Sequence, residues 1–327
     1  MNKTKAEHAV DHQLENVYRE LSKVVIGRQT EFKLFFTALL ANGHVLLEDL
    51  PGMGKTTMVR AFSKVLNCSF ARVQCTPDLL PADVIGMSIF NPKTAEFSFR
   101  EGPVFTNVLL VDEINRALPR TQSSLLESME ERQVSIEGQT YTLEQPFMVL
   151  ATQNPIEMEG TFPLPEAQLD RFLIKLQLGY PDFEEEAAML EKVGDHLPYD
   201  ELVPVFEPAH IRQLQQACER VDVHPDVRAY IVALAQGTRK HASVSVGASP
   251  RASKALFKAV KAWAFLNGRN YVLPDDVQHL LPYVWSHRLV LNSEADMTGI
   301  TGEHVLQEVI QHVPIPEENV RYHHGQA

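Results

Sequence analysis

An apolar segment, Val45-Leu46-Leu47, runs directly into Glu48-Asp49-Leu50-Pro51-Gly52-Met53-Gly54-Lys55-Thr56-Thr57, and an apolar-periodic helical stretch begins there. No other part of the chain constrains the fold as strongly. Glycines at 52 and 54 let successive backbone N–H groups curl around an anion at a helix N-terminus, where the helix dipole also favours negative charge. Lys55 adds a point charge for β- and γ-phosphates, and the Thr56 hydroxyl can reach a Mg²⁺ ion. Pro51, Met53 and Thr57 complete the loop. One departure stands out: the generic phosphate-loop pattern opens with glycine where this chain has Asp49.

The texture around this loop predicts an α/β domain. Residues 1–40 read as helical, with Val10, Leu14, Val17 and Leu21 at three- to four-residue spacing and Phe32 to Leu40 continuing the pattern. Strands are expected at Val45–Leu47, Ser69–Val73, Asn107–Val111, Phe147–Thr152 and Leu173–Leu178. Helices are expected between them at Thr56–Leu66, Arg120–Glu131 and Pro165–Phe172. Strand, crossover, strand, repeated, predicts a parallel sheet covered on both faces. Two hairpins interrupt it, Val84–Phe90 against Glu96–Phe99 and Gln133–Ile136 against Thr140–Leu143. Beyond Tyr180-Pro181 the expected elements are helical: Glu184–Val193, Ala209–Glu219, Pro225–Gly237, Pro250–Leu266 and Pro274–Arg288. Pro225, Pro250 and Pro274 sit at helix starts, where proline is tolerated. The 327 residues therefore divide into an α/β domain, 1–180, and an all-α domain, 181–327.

A second motif complements the loop. Val108-Leu109-Leu110-Val111 ends in Asp112-Glu113. A buried strand would deliver both carboxylates at the C-terminal edge of the sheet, where open α/β sheets bind ligands. Asp112 would hold the Mg²⁺ shell and Glu113 would polarise an attacking water. Alternatively, the two residues cap the next helix. Phe147–Thr152 leads into Gln153-Asn154-Pro155, where the Asn154 amide either orients that water or makes a local turn. Arg171 and Arg251 stand in Leu169-Asp170-Arg171-Phe172 and Ser249-Pro250-Arg251-Ala252. Residue physics alone does not lift either above a surface ion pair.

Taken in order, these segments resemble the MoxR family of AAA+ ATPases, in the helix-2-insert clade, over nearly the whole chain. The resemblance rests on Val25-Ile26-Gly27-Arg28, the loop Leu47 to Thr56, Glu101-Gly102-Pro103-Val104-Phe105 and Val111-Asp112-Glu113-Ile114-Asn115-Arg116-Ala117. It continues through Gln153-Asn154-Pro155, Leu164 to Phe172, and Gly247-Ala248-Ser249-Pro250-Arg251. It implies a five-stranded parallel sheet, an all-α lid, and ATP with Mg²⁺ as ligands. It assigns Ile26 and Gly27 to adenine, Asn154 to sensor 1, Arg171 to an arginine finger supplied to a neighbouring subunit, and Arg251 to sensor 2. Arg116 is left between sensing nucleotide in trans and bracing the Asp112-Glu113 loop. Asp49 is compatible with the family's loop variant. A finger acting in trans implies a homo-oligomer, in this class a hexameric ring. It also implies chaperone-like remodelling, activation or metal loading of a client, often a separate chain with a von Willebrand factor A domain.

Other readings of a phosphate loop fare less well. There is no Asn/Thr-Lys-x-Asp motif for guanine, and the stretch nearest to an ABC signature, Val134 to Gln139, falls after Asp112 instead of before it. A small-molecule kinase would not need Asn154, Arg171 and Arg251 together. A magnesium-chelatase-like motor subunit remains an alternative, and an MCM-like helicase a weaker one. The balance of 30 Lys+Arg against 42 Asp+Glu, net −12, removes the usual electrostatic reason to expect nucleic acid. No apolar run approaches the roughly 18 residues of a membrane span, Met1 to Glu20 has no secretory h-region, and three cysteines without metal-ligand spacing read as reduced thiols. These features predict a cytoplasmic protein. His323-His324 reads as a frayed terminus.

Overall fold

The structure, a computed structural model, describes residues 5–48, 52–93, 95–154, 160–191 and 199–316. Asp49, Pro51, Pro155 and the His323-His324 pair lie outside these residues. The chain divides into two compact units, Met1–Gln216 and Ala217–Ala327.

Unit one begins with α1 (Lys5–Leu21) and α2 (Gln29–Leu40), followed by β1 (Val45–Glu48), α3 (Lys55–Val65) and β2 (Phe70–Gln74). A short helix α4 (Pro81–Ile85) leads into the hairpin β3 (Gly86–Asn91) and β4 (Glu96–Glu101). Then come β5 (Val108–Asp112), α5 (Pro119–Glu131), the hairpin β6 (Gln133–Ile136) and β7 (Gln139–Thr142), and β8 (Met148–Gln153). Helix α6 (Glu166–Leu169), β9 (Ile174–Leu176), α7 (Phe183–Glu191) and α8 (Pro208–Glu219) follow, with the division between units falling inside α8.

Five strands form one all-parallel sheet in the order β2-β5-β8-β1-β9. The central strands are apolar on both faces because helices cover both. Every residue of β5 is buried, as are Met148 to Thr152 of β8. On one side, Leu109, Val111, Val149 and Ala151 pack in a core with Leu125, Leu126 and Phe172. Helices α2 and α3 are clamped together by aromatic rings. Phe62 meets Phe36 edge-on at 4.9 Å and Phe35 at 5.6 Å, and its side chain is fully buried. Each such pair contributes about 0.5–1.5 kcal/mol beyond area burial. Register in the sheet sets the site. Gln74 pairs with Asp112, and Glu48 with Gln153, so the functional strand ends finish level with one another.

One reading of the sequence needs correction. Val84 and Ile85, expected to open the first hairpin as strand, instead close α4, and β3 starts at Gly86. Pro81 sits at the helix start and the Asp83 carboxylate accepts from the Leu80 N–H at 2.9 Å, so local capping overrides the β-preference of the branched residues.

Unit two is helical: α9 (Pro225–Lys240), α10 (Pro250–Leu266), α11 (Pro274–Trp285), α12 (Ser293–Thr298) and α13 (Gly302–His312). A two-stranded antiparallel ladder, β10 (Val244–Val246) with β11 (Val290–Leu291), is added to the helices. Pro225, Pro250 and Pro274 each open a helix, and the Ser249 hydroxyl accepts from the Ala252 N–H at 3.1 Å. Trp285, fully buried, donates its indole N–H to the Ala252 carbonyl at 2.9 Å and fastens α11 to α10. Arg269 grips Asp276 with both terminal nitrogens, at 2.7 and 2.6 Å. Trp263 is buried and stacks on His279 at 4.5 Å. No helix among the described residues is long and apolar enough to cross a membrane.

His44, just before β1, is a buried wedge between layers. Its Nε2 lies 3.0 Å from the Met129 carbonyl and its Nδ1 accepts the Val149 N–H at 3.0 Å, which fixes the neutral Nε2–H tautomer. Burial, with Arg132 adding to it, lowers the His44 pKa to about 4. The unfolded chain binds this proton near pH 6.5 and the folded one only near 4, so stability is lost as pH falls through that window. The shift corresponds to about 3 kcal/mol. Denaturant melts from pH 7 to 4 are expected to show this decline, and His44→Gln, which keeps one donor and one acceptor but does not titrate, is expected to flatten it.

Candidate active site

Helix α3 follows Gly54, its N-cap residue, which takes a left-handed conformation (φ +74°) and offers no side-chain cap. The first turn of α3 contains no acidic residue. The positive end of the helix is therefore left to an outside anion. Gly52 is also left-handed at φ +87°, and a Cβ added at either glycine would meet nothing within 4 Å. The space beside both glycines is therefore open.

That space is a cavity of about 360 Å³ lined by Gly52 to Thr57 and by strand-end residues Arg72, Gln74, Asp112, Glu113, Thr152 and Asn154. The sequence placed Gly52, Met53, Gly54, Lys55, Thr56, Thr57, Asp112, Glu113 and Asn154 in one site, and the fold brings all nine to this cavity. Asn154, buried, directly follows β8.

The carboxylates are held from three strands. Asp112 is buried at the end of β5. Its Oδ2 accepts from Arg72 Nε at 2.6 Å and its Oδ1 from the Thr152 hydroxyl at 3.3 Å. Glu113 sits in the left-handed region at φ +56°, an uncommon place for a non-glycine residue. Its N–H donates to the Thr152 hydroxyl oxygen at 2.9 Å. Its Oε2 accepts from Gln74 Nε2 at 2.9 Å, with Arg116 Nη1 at 3.3 Å. Arg116 thus contacts Glu113 within its own chain. Buried Cys75 follows Gln74, and its N–H donates to the Asp112 carbonyl at 2.9 Å. Burial, with Asp112 and Glu113 adding, pushes its thiol up to about 12, so it stays protonated and offers no nucleophile.

Arg72, Gln74 and Thr152 escaped sequence reasoning. None falls in a motif, and their roles follow from strand register, which is non-local. The one local signal is the i, i+2 placement of Arg72 and Gln74, which puts both polar side chains on one face of β2.

The remaining expected residues lie elsewhere. Ile26 and Gly27 lie outside the cavity lining. Gly27 (φ +66°) is so closely approached by Glu185 that a Cβ there would meet the Glu185 carboxylate. Arg28 ties this segment to the end of the sheet through the Leu178 and Gly179 carbonyls, the latter at 2.9 Å. Arg171 does not line the cavity; its Nε lies 2.9 Å from Glu130 Oε2 on α5. Arg251 is exposed in the first turn of α10, in unit two.

Residues 44–174 match the "ATPase family associated with various cellular activities (AAA)", and residues 236–309 match the AAA lid domain. The sheet, loop and helical second unit are thus those of an AAA+ nucleotide-binding ATPase. The uncharacterized protein YeaC of Bacillus subtilis is 50% identical over 90% of this chain and 92% of its own length. Chaperone MoxR1 of Mycobacterium tuberculosis is 42% identical over 94% and 84%, and Protein MoxR of Methylorubrum extorquens 30% over 91% and 94%. A crystal structure from Cytophaga hutchinsonii superposes with a TM-score of 0.89 at 37% identity, over 95% of this chain and 97% of that one. The chain belongs to the MoxR family of AAA+ ATPases and hydrolyses ATP.

The Thr152 hydroxyl serves both carboxylate-bearing residues at once. Thr152→Val keeps the shape but leaves the Glu113 N–H without its acceptor, and is expected to cost about 1–3 kcal/mol of stability in chemical denaturation.

Proposed function

We propose that this protein binds Mg-ATP in the cavity between Gly52–Thr57 and Asp112-Glu113, and that it couples hydrolysis in an oligomeric ring to chaperone-like remodelling of a client. The observation that carries the reading is the arrival of both carboxylates and Asn154 at the cavity formed by the uncapped end of α3. The donor set fits the ligand. Backbone N–H groups and Lys55 suit the phosphates, while a hydroxyl and a carboxylate, Thr56 and Asp112, suit a hard cation held largely through its own waters. When bound, Mg²⁺ would neutralise charge on the β- and γ-phosphates. Lys55 holds the phosphates in place. Glu113 takes a proton from the attacking water, and Asn154 orients that water. Ile26 and Gly27 take the adenine side.

Arg171 and Arg251 complete the site by reading nucleotide from other bodies, Arg171 from a neighbouring subunit and Arg251 from the lid. The position of Arg171 away from the cavity of its own chain is compatible with action in trans. On this reading, which follows the family, the assembly is a hexamer and the client a separate chain, such as one carrying a von Willebrand factor A domain. The name of the M. tuberculosis relative supports a chaperone role. So does the β3–β4 hairpin, where Phe90 and Phe97 are exposed and meet at 5.2 Å on one face. Apolar side chains gathered at a surface in this way suit contact with another protein. A cytoplasmic location agrees with this role.

Two experiments test the reading. Glu113→Gln is expected to retain ATP binding and lose about 10²–10⁴-fold in turnover; normal turnover would overturn Glu113 as the base. Arg171→Ala is expected to be inactive alone and to recover part of its activity when mixed with Lys55→Ala. A mixing series without recovery would overturn the trans assignment.

A further inference from the structure

The cavity holds a cation that the family motifs do not account for. Arg72 reaches in from β2, the edge strand beside β5. Its Nε lies 2.6 Å from Asp112 Oδ2, a charge-assisted bond shorter than a neutral one. Its Nη2 donates to Gln74 Oε1 at 3.1 Å, and Gln74 Nε2 in turn donates to Glu113 Oε2 at 2.9 Å. The chain Asp112–Arg72–Gln74–Glu113 is continuous, so the guanidinium touches one carboxylate directly and the other through a single amide.

Accepting a bond from Arg72 has a cost for a metal-holding aspartate. Both Asp112 oxygens already accept, Oδ2 from Arg72 and Oδ1 from Thr152. A hydrated Mg²⁺ approaching the same carboxylate must share or displace a donor, and the guanidinium repels it as a like charge in a confined space. The two donors differ in mobility. Thr152 is buried in a central strand, whereas the Arg72 side chain is 48% exposed on an edge strand and can swing into water. Arg72 is therefore the one that yields.

We infer that Arg72 is a positioning residue that competes with Mg²⁺ for Asp112. The inference rests on the proposed assignment of Asp112 to the metal. Its role is opposite to that of a phosphate-binding arginine: Arg72 opposes metal entry, and its loss eases it.

The experiment titrates Mg²⁺ against the full chain with a fluorescent, non-hydrolysable ATP analogue, reading binding instead of turnover. Removing a half-exposed ion pair of this kind should lower the Mg²⁺ half-point for Arg72→Ala by about threefold. Arg72→Lys keeps the charge but lacks the fork that spans Asp112 and Gln74, so its half-point is expected between the two. Asp112→Asn is expected to raise the half-point. An unchanged or raised half-point in Arg72→Ala, with Asp112→Asn raised, overturns the competition and leaves the metal assignment standing. An unchanged half-point in Asp112→Asn overturns the metal assignment and the inference with it. If Arg72→Ala fails to fold, Arg72→Lys decides alone: a half-point at or above wild type overturns the competition.

Discussion

The parallel register of β2, β5, β8 and β1 is the constraint on which everything else here depends. It sets Gln74 level with Asp112, and Glu48 level with Gln153, so that the polar residues at four strand ends emerge at one edge. A slip of one residue in any of these pairings would turn a functional side chain to the opposite face. These strands run through the interior: β5 and β8 are apolar on both faces, and Leu109, Val111, Val149 and Ala151 lie in the core. The site thus sits at the ends of strands whose middles are packed in the core.

Most of the site was legible in the sequence because it is local. A phosphate loop needs glycines, a lysine and a hydroxyl within a few residues of a helix start, and an apolar strand ending in two acids announces its own edge position. Strand limits fell within a few residues of those expected, since apolar runs bounded by polar turns leave little freedom. Val84 and Ile85 were misread for a related reason. Their branched side chains speak for strand, and the weaker voices of Pro81 and Asp83, which cap α4, lie three residues upstream or less.

What the sequence hid is whatever depends on register or on a second body. Arg72 and Gln74 look like ordinary polar positions on an edge strand until β2 is laid against β5. Thr152 looks like one more β-branched residue until its hydroxyl is seen between Asp112 and Glu113. Arg171 illustrates the other limit. Its ion pair with Glu130 is the bland reading made visible, while the role suggested by resemblance concerns a neighbouring subunit. His44 is a third case: nothing in a lone histidine before a strand reveals that both ring nitrogens are engaged.

The left-handed backbone of Glu113 carries a cost that glycine would not incur, on the order of 1–2 kcal/mol. A chain selected only for heat resistance would therefore be drawn toward glycine at this position and would surrender the carboxylate. If Glu113 is the base proposed above, the glutamate marks a point where durability and turnover pull apart.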